Sequence, residues 1–183
     1  MTNPATFCRQ RGMSLIEQVM VLTIVAVLMG AAVPPMRHLI SRNELRVAQT
    51  DFIGALRQTR QTAVLSGRRT ILCPSWHNTG CSTETNWDNG WLLAHDRNRD
   101  DQPDDGPLRV GHDYQGKVFI RSSNGRHIVR FHPDGSASGS NMTLLFCQPS
   151  HPSDALVVVV SNAGRVRGAH ASDAQIATCS TLH

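Results

Sequence analysis

The sequence predicts an α+β fold: a long N-terminal helix, with an apolar half of membrane-spanning length and an amphipathic half, packed on a small antiparallel β-sandwich domain. Three observations predict it. An apolar run from Met13 to Val33 is followed by a helical stripe that reaches Leu65. From Thr70 onward, short apolar segments alternate with turn signals. Beyond the N-terminus the cysteines number four, an even set that suits a disulfide framework in an oxidising compartment.

A chain of 183 residues is long enough for one domain with a real core plus an appendage. Its formal net charge of +4 permits a polyanionic partner without demanding one. Residues 1–12, "MTNPATFCRQRG", carry Arg9 and Arg11 and no acid; without them 16 basic side chains face 14 acidic ones. Any basic surface on the remainder must therefore be a local patch. Met13 to Val33 is 21 residues, interrupted only by Ser14, Glu17, Gln18 and Thr23. As a helix it spans roughly 30 Å, the thickness of a bilayer's hydrocarbon core. Arg9 and Arg11 before it predict a cytoplasmic N-terminus. Pro34-Pro35 after it predicts a kink or break. The expected order is a leader at 1–12, a membrane helix at 13–35, an amphipathic half at 36–66 and a β domain at 67–183.

Arg37 to Leu65 reads as amphipathic. Leu45, Ala48, Phe52, Leu56 and Ala63 fall on one stripe, and "SGRR" supplies a glycine stop. Arg42, Arg46, Arg57 and Arg60 fall mostly on other faces and read as a solvated surface. The expected strands are 70–73, 90–96, 108–110, 117–121, 127–131, 142–147, 156–161 and 175–179. "SNGR" and "HPDGSASGS" are turns between them.

Cys73, Cys81, Cys147 and Cys179 allow three pairings. The favoured one closes a short loop with Cys73–Cys81 and ties the C-terminal tail to an upstream strand with Cys147–Cys179. Zinc at Cys73 and Cys81, with only His77 between them, is the weaker alternative. Asp96, Asn98 and Asp100 have the alternating spacing of a calcium loop. Asp101 replaces the sixth-position glycine and Pro107 the twelfth-position Glu, so a solvated hairpin loop is expected, with no metal and no cofactor. The nine histidines form no ligand motif, no nucleophile elbow or phosphate-cradling loop occurs, and no catalytic residue is assigned. In "GRVRG", Arg165 and Arg167 project to one side of an extended segment, and flanking glycines let backbone approach a ligand. His170 is a candidate addition to that pair. Two guanidiniums on one side suit successive phosphates, and Lys117, Arg121, Arg126 and Arg130 are candidates to extend the patch.

"RGMSLIEQVMVLTIVAVLMGAAVP" resembles a type IV prepilin signal. A carboxylate in a membrane-entering segment is costly without a partner, and the resemblance supplies one. It implies that a prepilin peptidase cuts between Gly12 and Met13, that Met13 is then N-methylated, and that Glu17 pairs with the terminal amine of a neighbouring subunit. Met13 stands where the commonest form has Phe. The body is similar to the GspH/FimT minor pseudopilins and pilins, through "ILCPSWHNTGC", "WDNGWLLAHDRNRD", "VRFHPDGSASG" and "NAGRVRG" in that order. That family implies other major and minor pilins as partners, an inner-membrane position with a periplasmic domain, and a place in the extracellular pilus after assembly. FimT-type members associate a C-terminal Gly-Arg-x-Arg motif with DNA binding for uptake. Gly164, Arg165 and Arg167 match it, which implies non-specific DNA binding through phosphate contacts. The alternative is a purely structural tip or initiation pilin, or a type II secretion pseudopilin, with no nucleic-acid role.

Overall fold

The computed structural model describes residues 13–114 and 116–181, without the side chains of 31–38 and 124. Cys8, the leader arginines and Gly12 lie outside the described residues. The chain divides into two units, 1–40 and 41–183. Helix α1, Leu15–Ser66, crosses that division as 52 residues. It continues through Pro34-Pro35, where the sequence predicted a kink or break. Proline's fixed φ near −65° is itself helical, so the pair removes two donors without forbidding the conformation.

In the first unit α1 begins at a cap. The Ser14 hydroxyl accepts the Glu17 N–H at 3.3 Å, and the Ser14 carbonyl accepts the same N–H at 3.1 Å. "SLIE" is the Ser-x-x-Glu pattern of a capping box, and it sets Glu17 in the first turn, where the helix dipole favours a negative charge. Thr23 satisfies its hydroxyl on the Val19 and Met20 carbonyls. Leu15, Ile16, Met20, Leu22, Val27 and Leu28 are each more than 60% exposed, so this segment has no core of its own. Among the described residues no helix is long and apolar enough to cross a membrane. The expected run Met13–Val33 includes positions 31–33, whose side chains are not described.

The second unit has two four-stranded antiparallel sheets. In one, β1 (Thr70–Pro74) and β2 (Trp91–His95) are central, with β3 (Arg109–Gly111) and β5 (Val129–Phe131) at the edges. In the other the order is β4 (Phe119–Ser122), β6 (Met142–Cys147), β7 (Leu156–Val160) and β8 (Val166–His170). The expected stripe on α1 buries Leu45, Ala48, Phe52, Leu56 and Ala63 against the inner faces of both sheets. Phe52 is its centre, with ring centroids 5.3 Å from Phe146 and 6.0 Å from both Trp87 and Trp91.

Both sheets also have covered outer faces. Ile71, Cys73, Leu92 and Ala94 form one outer cluster, and Cys81 packs against it. Leu145, Cys147, Val157 and Cys179 form the other. This is why β1 and β7 read as apolar runs rather than alternating strands. Cys73 bonds Cys81, and Cys147 bonds Cys179.

Seven of the eight expected strands are present. The eighth, 175–179, is instead helix α2, Asp173–Cys179. Ser172 and Gln175 form a capping box at its start, so local hydrogen bonding outweighs the β-branched content of "QIATC". The remaining strand is β8, in the segment read only as extended at Gly164–Gly168.

Candidate functional site

The β7–β8 hairpin turns tightly through Asn162 and Ala163. Ser161 and Arg165 exchange the closing contacts: Ser161 N–H donates to the Arg165 carbonyl at 3.0 Å, and Arg165 N–H donates to the Ser161 hydroxyl at 3.2 Å. Gly164 has φ +76°, and a Cβ there would collide with the Gly135 carbonyl oxygen. That carbonyl also accepts the Arg60 Nε–H at 2.9 Å. The glycine of the motif is thus demanded by the turn and by the neighbouring turn at 132–135.

Val166 is buried while Arg165 and Arg167 are exposed, which sets both arginines on the outer side of the hairpin. Successive same-side residues in a strand lie about 7 Å apart. Among the described residues neither guanidinium has an ion-pair or hydrogen-bond partner. His170 is at odd spacing from Arg167 and faces the other way, beside Arg46, Gln49 and Gly168, so it does not join the pair.

The four candidate extensions have other work. Arg121 engages Asn86 and Asp88, the latter at 3.4 Å. Arg130 holds Asp101 through two hydrogen bonds. Arg126 donates to the Gly139 carbonyl, and Lys117 lies 3.7 Å from Glu44.

The loop spaced like a calcium site is an ion-pair network. Buried Asp96 lies 3.0 Å from the Arg69 guanidinium and accepts the Asp100 N–H at 3.1 Å. Asp101 takes both Arg69 and Arg130, and hydrogen bonding from Arg130 pulls its carboxyl below the ordinary range. Among the described residues no group of three His, Cys, Asp or Glu side chains is placed to hold a metal. Sequence reading missed this network, because its two arginines, Arg69 and Arg130, come from separate segments and its carboxylates from a third.

A family model described as Type II transport protein GspH matches residues 48–164, and one described as a prokaryotic N-terminal methylation motif matches residues 8–33. The first match stops at Gly164, before both arginines. No curated protein matches the sequence. Among solved structures, the type IV minor pilin FimU of Pseudomonas aeruginosa superposes with a TM-score of 0.58 at 20% identity. That superposition covers 69% of this chain and 88% of FimU. A second crystal form of FimU gives 0.56 at 17% identity, covering 68% and 91%. The minor pseudopilin EpsH from the Type 2 Secretion System of Vibrio cholerae gives 0.49 at 13% identity, covering 69% and 97%. The FimU likeness shows a shared fold.

Proposed function

The chain belongs to the GspH family, a minor pilin or pseudopilin of a type IV pilus or a type II secretion system, and from that membership we propose that it is a type IV minor pilin that binds DNA without sequence preference. The observation that carries the DNA reading is the pair Arg165 and Arg167, exposed, on one side of a tight hairpin, their guanidiniums without partners among the described residues. Guanidiniums so held suit phosphate oxygens on successive nucleotides. The binding supports DNA uptake, pilus assembly or both. In the same reading a prepilin peptidase cleaves after Gly12, Met13 becomes the methylated terminus, and Glu17 registers each subunit against its neighbours. The N-terminal helix holds the protein in the inner membrane until assembly.

The test is a gel shift with duplex DNA and the full chain in neutral detergent. Arg165→Ala/Arg167→Ala is expected to bind about 10-fold more weakly and to flatten the slope of log K against log salt by about 1.8, two phosphates' worth. Unchanged binding by this double variant refutes the tail assignment.

A second reading has its own observation: Gly164 is required by the turn, so the glycine needs no ligand to explain it. Then the protein is a structural tip or initiation subunit, or a secretion pseudopilin. A deletion strain that loses piliation or secretion, and regains it fully with the double-arginine variant, supports that reading.

A further inference from the structure

The geometry points to a second phosphate site, in the pocket lined by Arg68, Arg69, Arg97, Arg99 and His132, through which one nucleic-acid backbone continues from Arg165 and Arg167. The inference rests on the DNA reading above and deepens it.

The register of one sheet builds the pocket. Thr70, the first residue of β1, pairs with His95 at the end of β2 and with Phe131 at the end of β5. Residues just beyond those strand ends must therefore gather: Arg68 and Arg69 before β1, Arg97 and Arg99 after β2, His132 after β5. They line one pocket with Gly67 and Pro133. Its volume of about 260 Å³ admits a hydrated phosphate group, since a water occupies roughly 30 Å³.

The cations divide into two sorts. Arg69 is fixed by Asp96 and Asp101, and Arg97 by Asp104 and by Asp105 at 2.8 Å. Those pairs hold the walls, where Arg69, Arg97 and the Arg130 that shares Asp101 face four carboxylates, three positive charges against four negative. Arg68 and Arg99 are exposed and, among the described residues, have no side-chain partner. They are the two charges available to an anion. Each follows or occupies a left-handed backbone position, Gly67 at φ +63° and Arg99 at φ +66°, so both are presented from tight turns.

The pocket adjoins the arginine hairpin through a single turn. Gly135 N–H donates to the His132 carbonyl at 2.8 Å, closing a turn whose ends lie within about 7 Å. His132 lines the pocket at one end, and Gly135 packs against Gly164 at the other. Arg165 follows Gly164 directly. One acid lies on the path: exposed Asp134, whose carboxylate accepts the Ser136 N–H at 2.8 Å. It opposes a phosphate crossing there.

The experiment is fluorescence anisotropy with labelled duplex DNA over a salt series, using the full chain in neutral detergent. Four proteins are compared: wild type, Arg68→Ala/Arg99→Ala, Arg165→Ala/Arg167→Ala, and Asp134→Asn. The pocket variant is expected to weaken binding about 10-fold and reduce the salt slope by about 1.8, with Asp134→Asn binding more tightly than wild type. Wild-type affinity and slope in Arg68→Ala/Arg99→Ala, with weakened binding in the hairpin variant, overturns the pocket and leaves the hairpin standing. Weakened binding in the pocket variant alone overturns the hairpin reading and with it the single backbone path from Arg165 and Arg167, leaving the pocket as a separate phosphate site. Absence of DNA binding by the wild type overturns both.

Discussion

Gly164 answers to two constraints that no other residue meets, a left-handed φ and a carbonyl in the space of its side chain. Gly164→Ala is therefore expected to destabilise the protein by about 2 kcal/mol or more, read as a lowered melting temperature. The guanidiniums beside it make no ion pair or hydrogen bond among the described residues, so Arg165→Ala/Arg167→Ala should stay within about 0.5 kcal/mol of wild type. The motif thus splits into a structural glycine and two disposable guanidiniums, a division that spacing alone cannot reveal. Asp101 sets a pH dependence. Hydrogen bonding from Arg130 lowers its folded pKa below the ordinary 3.8. Its contribution is full above that value and is lost as pH falls through the folded pKa. Asp101→Asn, which tolerates the φ of +66° at this position, should be less stable at neutral pH yet show a flatter acid limb below about pH 4 in urea titrations. Asp88 works in the opposite sense: burial raises its pKa, so its contribution is lost as pH rises through the folded value.

At the level of elements, α1 was legible because five buried positions repeat with helical spacing, and seven strands because both sheets are covered on two faces. Helix α2 was not legible. "QIATC" is short and rich in β-branched and apolar residues, and the deciding signal, Ser172 with Gln175 three residues later, precedes it. The same kind of signal in "SLIE" was open to view at Ser14 and Glu17. β8 offers only one buried apolar residue, Val166, so no apolar run marks it. The cationic pocket is illegible for another reason: its members meet only through the shared register at Thr70. The disulfides differ in what they close. Cys73–Cys81 spans 8 residues and Cys147–Cys179 spans 32, which on chain entropy are worth about 2.5 and about 3.7 kcal/mol. Cys147→Ser/Cys179→Ser is expected to be the more damaging pair in urea unfolding.

Taken as a whole molecule, the chain joins a unit with its own core to a unit without one. The apolar side chains from Met13 to Met29 are exposed within the single chain, and surface of that kind demands lipid or other subunits. Full-length chain is expected in the detergent phase on partitioning, and residues 41–183 in the aqueous phase. Glu17 is a first-turn acid at a capped helix, and the function proposed above adds an inter-subunit charge; the two can be separated. Glu17→Gln keeps a capping-competent side chain and removes the charge. It should fail to enter sheared filaments, as should Glu17→Ala; normal incorporation of Glu17→Gln would reduce Glu17 to a helix cap.

The bond between Cys147 and Cys179 also imposes an order in time. β4, β6 and β7 are made before α2, and their outer face, with Leu145 and Val157, is covered by the segment that Cys179 fastens. Until the last residues of the domain are made, that apolar face has no cover from its own chain, and the Cys147–Cys179 bond is what fastens the cover once it arrives.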